Sequence, residues 1–467
     1  MSQCNPALLE KLINLLGSGG VIYGEDLANR DMAWLKDKTT PWAIARPKTT
    51  ADISAVMKLC SEYGQSVVTQ GGKTGMVDGA ATSGDNLALS LERMSGIEEL
   101  DPLARTMTVL AGTPLQTIQE AAEAAKLSFP LDLGARGSAT IGGNIATNAG
   151  GNSVIRYGMT RNLILGLEAV LADGTVISSM HKVVKNNTAY DLKQWFIGTE
   201  GTLGIVSRAV LKLSPLLHSE NTALLAVNDF DTACTLLREL DREFGGSLSA
   251  YEVMWNSFFA ESTNPENPAH KLSPMPRDYP YYILIETRGT QSEKDAETFQ
   301  QVLESKFEAG QIQDAVVAQS IADKEGLWAI RDNIESLLQL SPILTYDISL
   351  SIPTMAAYLK DTEAAVLEAW PEARFIVFGH LGDGNLHIIV ATDEDSPERH
   401  HAVDAIIYSR LKNIGGVISA EHGIGTEKRS FLHCSRSAEE IAMMHTIKTA
   451  MDPQNLLNPG KVLPDKT

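Results

Sequence analysis

Asp383-Gly384 stands between two apolar runs, Phe375-Ile376-Val377-Phe378 and Ile388-Ile389-Val390. Asp-Gly in that setting is the strongest short-range signal for a β-hairpin, because the turn needs positive φ angles that glycine adopts without strain. A two-residue turn there pairs Gly382 with Asn385, Leu381 with Leu386 and His380 with His387. Directly opposed residues share a face, with Cβ atoms about 5 Å apart. Two imidazoles then sit side by side on one rigid element. Further on, Ser419-Ala420-Glu421-His422-Gly423-Ile424-Gly425 adds a carboxylate and a third histidine between glycines that permit a tight bend. Two histidines and one glutamate, with a vacant position, make up a catalytic rather than a structural metal site. The other reading is that the paired histidines only cap two strands.

Charge and composition remove several classes of function. A net charge of −19 makes nucleic acid or an anionic membrane surface an unfavourable primary partner. Cys4, Cys60, Cys234 and Cys434 are far apart and form no CxxC pair, so neither a disulfide framework nor an iron–sulfur motif is expected. No apolar run is long enough for a transmembrane segment, and Met1-Ser2-Gln3-Cys4-Asn5-Pro6 carries no signal-peptide pattern. A cytoplasmic protein in a reducing compartment is the expectation. At 467 residues it should hold two or three domains.

Thr49-Thr50-Ala51-Asp52 predicts a capped helix running to about Tyr63, followed by a strand at Ser66-Val67-Val68-Thr69. Strands and helices alternate from Leu87 to Leu217, with a helix over Thr113–Leu127 and a strand over Gly166–Leu171. Asp173-Gly174 marks a second hairpin. Past Pro215 the pattern becomes strand–helix–strand: a strand at Thr222–Val227, a helix over 229–244, a strand at Tyr281–Glu286 and a helix over 292–309. Five prolines between 263 and 280 predict a surface loop. Residues 451–461 are too rich in turn formers for a helix and predict an ordered tail laid over a site.

Three glycine-rich segments allow backbone to approach a ligand closely. Gly71-Gly72-Lys73-Thr74-Gly75-Met76 follows a strand and can cradle phosphate with its N–H groups, though it fits neither the Walker pattern nor GxGxxG. Residues 133–151 are small almost throughout, and Ser138, Thr140, Asn144, Thr147 and Asn148 supply neutral hydrogen-bonding groups. A flat, polar-edged molecule with a pyrophosphate suits such a surface. Ile197-Gly198-Thr199-Glu200-Gly201-Thr202-Leu203-Gly204-Ile205 is the third segment.

These segments, with Tyr190-Asp191-Leu192-Lys193-Gln194, resemble the FAD-binding domain of the vanillyl-alcohol-oxidase (PCMH-type) flavoproteins. The hairpin histidines, Glu421-His422-Gly423 and Asn458-Pro459-Gly460-Lys461 resemble the D-2-hydroxyglutarate and D-lactate dehydrogenase branch, over nearly the whole chain from about residue 40. The resemblance implies an α+β fold: a two-subdomain FAD-binding domain (1–217), an α+β cap domain with an antiparallel sheet (218–425), and a C-terminal segment (426–467) returning to the FAD domain. It implies FAD with its pyrophosphate on Gly71, Gly72, Lys73, Thr74, Gly75 and Met76. Further contacts are implied from Leu131, Ser138, Ile141, Gly142, Asn144, Thr147, Asn148, Gly151, Ile205 and Asn458. No histidine lies in 69–76, so the FAD is expected to be non-covalent.

A divalent metal, Zn or Mn, on His380, His387 and Glu421 would chelate the hydroxyl and carboxylate of a 2-hydroxy acid and lower the hydroxyl pKa. The resemblance gives His422 as general base, which requires a bend at Glu421-His422, and Arg331 as the substrate-carboxylate arginine. Members specific for D-2-hydroxyglutarate carry threonine, lysine and asparagine where this chain has Glu335, Thr345 and Ile389, which disfavours a second carboxylate. In the first loop, Lys73 and Asp78 also depart from the usual asparagine and glycine.

The reading is thus a dehydrogenase yielding a 2-oxo acid and passing electrons to an external acceptor such as an electron-transfer flavoprotein or quinone. Its rivals are an oxygen-using oxidase and a catalytically idle FAD-binding subunit. Oligomeric state stays open, a homodimer being compatible.

Overall fold

Local signals account for most elements of the chain. The computed structural model describes residues 5–30 and 40–465, so Cys4 lies outside it. Two units divide the chain: one holds residues up to Gly151, Gly158–Leu216 and the chain from Glu421 on, the other Asn152–Tyr157 and Leu217–Ala420. Residues 421–425, expected to close the second domain, lie in the first unit.

In the first unit, strands β1 (Val21–Tyr23), β2 (Ala43–Ala45), β3 (Val67–Gln70) and β4 (Leu87–Ser90) form a sheet in the order β1-β2-β4-β3. Helix Thr50–Tyr63 begins with the Thr49–Asp52 capping box and stops at Gly64, whose φ is +63°. Its Ile53, Val56, Met57 and Cys60 recur every three or four residues and are fully buried. Next come β5 (Ile97–Asp101), β6 (Thr106–Leu110), β7 (Leu127–Ser128), β8 (Ile164–Val170), β9 (Val176–Ser179), β10 (Ile205–Lys212) and β11 (Ser214–Pro215). They build an antiparallel sheet β5-β6-β10-β8-β9 and a short β7–β11 pair. The Asp173-Gly174 hairpin joins β8 to β9, with Gly174 at φ +84°. The helix expected over Thr113–Leu127 is shorter, Leu115–Ala124. Pro114 is its N-cap, and Leu127 is drawn into β7. Helix Ala438–Met451 takes in the first residue of the tail, which then runs without helix, Leu457 bridging in parallel to Val67.

The second unit holds β12 (Ser219–Val227), β13 (Leu248–Trp255), β14 (Tyr281–Gly289), β15 (Asp314–Val317), β16 (Ile343–Ser349), β17 (Arg374–His380) and β18 (Asn385–Ala391). They form one sheet in the order β15-β12-β14-β13-β17-β18-β16, every neighbouring pair antiparallel. Helices Phe230–Glu243 and Ser292–Glu308 fall where periodicity predicts them, and residues 264–280 form no regular element. Phe258, Phe259, Tyr282, Leu284, Ile376, Phe378 and Ile389 belong to one apolar core. No helix among the described residues is long and apolar enough to cross a membrane.

The β17–β18 hairpin departs from the two-residue turn. Leu381–Asp383 wind into a 3-10 turn and Gly384 follows at φ +84°. The register is therefore Phe378 opposite His387, two residues from the expected His380–His387 pairing. Because side chains alternate with period two, a shift of two keeps both histidines on one face.

Candidate active site

In the first unit the glycine segments meet. A Cβ on Gly72 would lie 2.0 Å from Ser138 O, and one on Gly71 2.5 Å from Thr140 Oγ1, so the two loops touch only because neither position has a side chain. Beside them is a cleft lined by Thr69, Gly71, Gly142, Glu200, Ile205 and Asn458, among others. Buried polar atoms are nearly always paired. Yet Thr69 Oγ1, Thr140 Oγ1 and Asn144 Oδ1 are buried with no hydrogen-bond partner. Thr69 lines the cleft and Thr140 Oγ1 stands beside Gly71, so uncharged hydrogen-bonding groups border a glycine-lined wall, which fits a flavin dinucleotide.

Of the residues expected to contact FAD, Gly71, Gly142, Ile205 and Asn458 share that cleft. Gly72 lies against Ser138, an exposed residue. Lys73 has a φ of +55°, Thr74 and Gly75 continue its loop, and Met76 is exposed. Leu131 and Ile141 put their side chains into the core. Thr147 Oγ1 donates to Gly143 O at 3.1 Å, and Asn148 Oδ1 accepts the Arg161 N–H at 2.9 Å. Those two side chains hold local structure. Asn458 is a clamp: Oδ1 accepts the Thr69 N–H at 2.9 Å and Nδ2 donates to Glu200 O at 2.6 Å.

Glu421 is held within the same unit. Its Oε1 accepts the Gly151 N–H at 2.8 Å. A Cβ on Gly150 would lie 2.7 Å from that oxygen, and Gly151 has a φ of +127°. The backbone bends at Glu421-His422, and Gly423 follows at φ +87°. Glu200, which sequence reasoning passed over, accepts the N–H groups of Ile424 at 2.6 Å and Gly425 at 2.9 Å. Burial pushes its carboxyl pKa up, against the pull of those bonds and of Lys428 and Lys461.

The second unit gathers Arg331, His380 and His387. The His380 and His387 ring centroids are 5.3 Å apart with planes at 79°. His380 is 5% exposed, and its Nδ1 lies 2.8 Å from Glu252 Oε1. Arg331 ends helix Ile321–Arg331 and donates from Nε to Glu252 Oε2 at 2.9 Å. Its Nη2 stands 3.1 Å from His380 Nε2, and its guanidinium lies over Phe378 at 5.1 Å. Burial works against the charge of Glu252, yet His380 and Arg331 outweigh it and hold the carboxyl below its usual range. His387 Nδ1 is 3.9 Å from Asp347 Oδ1. Asp347 is fully buried and accepts from Asn385 Nδ2 at 2.8 Å and the Ala420 N–H at 3.1 Å. Two imidazoles backed by buried carboxylates are suited to ligating a cation.

Glu252 and Asp347 were missed in the sequence. Each is a lone carboxylate in an apolar strand, Tyr251-Glu252-Val253 and Tyr346-Asp347-Ile348, and that isolation was the available signal. Of the positions that depart from the hydroxyglutarate pattern, Glu335 is exposed, Thr345 is paired across strands with Ile389, and Ile389 lies in the core at 3% exposure.

Known families and proteins match the chain over nearly its whole length. Residues 41–179 match an FAD binding domain and 216–462 the C-terminal domain of FAD linked oxidases. A D-2-hydroxyglutarate dehydrogenase of Xanthomonas citri pv. viticola is 38% identical, covering 94% of this chain and 92% of that one. One from Stutzerimonas stutzeri is 34% identical, covering 98% and 99%. A probable mitochondrial D-2-hydroxyglutarate dehydrogenase of Oryza sativa subsp. indica is 36% identical, covering 97% and 80%. Among solved structures, p-cresol methylhydroxylase with substrate bound superimposes with a TM-score of 0.78 at 18% identity, covering 98% of this chain and 97% of that one. An alkyldihydroxyacetonephosphate synthase gives 0.74 at 14%, covering 98% and 85%. At such identities the two structures establish the fold alone.

Proposed function

Since the chain belongs to the FAD-linked oxidases, alongside the D-2-hydroxyglutarate dehydrogenases, we propose that it oxidises a D-2-hydroxy acid to the 2-oxo acid. The observation that carries this reading is the clustering of Arg331, His380 and His387 on buried carboxylates in a chain that also has an FAD-binding unit. When bound, FAD supplies the hydride acceptor, and a divalent metal, Zn or Mn, held by His380, His387 and Glu421 supplies a Lewis acid for the substrate oxygens.

The remaining chemistry falls to side chains. Arg331, anchored through Nε, binds the substrate carboxylate through its Nη groups. His422 takes the hydroxyl proton on an imidazole nitrogen, and the bend at Glu421-His422 turns it from the path of an extended strand. The unpaired atoms of Thr69, Thr140 and Asn144, together with Gly71, Gly72, Lys73, Thr74 and Gly75, bind non-covalent FAD. The substrate is D-lactate-like or D-2-hydroxyglutarate-like. The exposed carboxylate of Glu335, the neutral Thr345 and the buried Ile389 favour the acid with a single carboxylate. Electrons leave for an external acceptor of the electron-transfer flavoprotein or quinone type, in the cytoplasm.

Anaerobic bleaching of the flavin absorbance by D-lactate, D-2-hydroxyglutarate and their L-forms, on Zn- or Mn-loaded protein, tests this. Bleaching by a D-acid alone is the expected result. No bleaching by any of the four, with flavin and metal both bound, refutes it.

A further inference from the structure

We propose that Glu252 is a positioning residue for the oxidation, its single carboxylate setting both the tautomer of His380 and the orientation of Arg331. Glu252 on β13 is directly opposite His380 on β17, so the two side chains rise from the same face of the sheet. The next pair on that face is Met254 with Phe378, and Phe378 lies under Arg331. Apolar neighbours therefore surround a carboxylate that is 1% exposed.

A carboxylate so buried is costly unless it is bonded at both oxygens. Here each oxygen has its own donor. Oε1 takes the His380 Nδ1 proton at 2.8 Å and Oε2 takes the Arg331 Nε proton at 2.9 Å. A proton on Nδ1 puts the imidazole lone pair on Nε2. That is the nitrogen nearer Arg331, 3.1 Å from Nη2, against 3.5 Å for Nδ1. Arg331, held through Nε, turns Nη2 to the same locality, while Nη1 donates to Asp332 Oδ1 at 3.4 Å. One anion thus sets an imidazole lone pair and one guanidinium N–H group side by side. The metal part of this inference rests on the function proposed above; the tautomer part does not.

Glu252→Gln separates these roles from simple filling of the core. A glutamine has the same shape but only one acceptor oxygen, and its NH2 group must face one of two N–H donors. His380 then relieves the conflict by moving its proton to Nε2.

The experiment is long-range proton–nitrogen NMR of the full chain, loaded with FAD, metal-free and with 15N-labelled histidine, at a pH where the imidazole is neutral. His380→Asn identifies the His380 signal. The native protein should show His380 protonated at Nδ1, and Glu252→Gln should show protonation at Nε2 or a mixture. Zinc alone, titrated into both FAD-loaded proteins, should bind about 10- to 100-fold more weakly to the variant with flavin absorbance unchanged. KM for the D-acid should rise in the variant by more than kcat falls. Glu252→Asp keeps the charge but is too short to reach both donors, and should retain part of the zinc affinity.

A native His380 protonated at Nε2 overturns the proposal, whether or not either variant folds. So does a folded Glu252→Gln with the native tautomer and zinc affinity within about twofold of native. Native protein that binds no zinc overturns the metal assignment, while the tautomer still decides the role of Glu252.

Discussion

Asn458 Oδ1 accepts the backbone N–H of Thr69 at 2.9 Å, across 389 positions of sequence. The same side chain donates to Glu200 O, so one amide ties the tail to β3 and to the third glycine segment. Asn458→Ala leaves a buried N–H and C=O unpaired and should cost about 1–3 kcal/mol. Faster FAD loss on desalting and earlier thermal unfolding are the expected readouts. Asn458→Asp keeps the acceptor but sets a buried carboxylate oxygen against Glu200 O, so its effect should be at least as large; a smaller effect would show that the bond to Glu200 O contributes little.

Gly150 leaves room for Glu421. A methyl there would sit 2.7 Å from Glu421 Oε1, so Gly150→Ala must displace that carboxylate. The expected outcome is weaker zinc binding and lower turnover with FAD still bound. Gly134→Ala is the control, since nothing lies within 4 Å of its added methyl. Unchanged zinc affinity in Gly150→Ala would remove Glu421 from the ligand set.

Phe258 stacks on Phe378 at 4.3 Å between centroids, and the Phe378 ring lies 4.9 Å from that of His387. Phe258→Ala should cost about 3–5 kcal/mol through lost burial and the cavity left behind. It should also raise KM, because Phe378 supports Arg331 and His387. Urea unfolding and steady-state kinetics test both; a stability loss with unchanged KM would separate the core from the site.

Much of this architecture was legible from short-range signals. The Thr49–Asp52 capping box, the Asp173-Gly174 hairpin and the helix after Asp229 each follow from residues within one turn of one another. What escaped notice depends on distant partners. Glu252 meets His380 across 128 positions and Glu200 meets Ile424 across 224, and no local pattern encodes such pairings. Leu381–Asp383 escaped for another reason: a turn dipeptide marks where the chain reverses but does not say how many residues the reversal consumes.

Acid should loosen the second unit through Glu220, which pairs with Arg288 and Lys324. Burial opposes its ionisation, but those cations hold the carboxyl below its ordinary value. A pKa lower in the folded state means stability present above the unfolded value, about 4.3, and lost as pH falls through the folded one. Unfolding measured across that window should show a steeper acid limb in native protein than in Glu220→Gln. The variant should lose at most about 1 kcal/mol at neutral pH. Parallel acid limbs would contradict the assignment.

The two-residue displacement of the β17–β18 hairpin has a consequence for how freely its tip can vary. Pairing can slide by two and His380 and His387 still look the same way. A slide by one would send β18's half of the site, with Ile389, to the opposite side of the sheet. Divergence or redesign at this tip is therefore constrained by evenness rather than by length. A longer reversal is harmless if the strands re-engage in step, and a shorter one is ruinous if they do not.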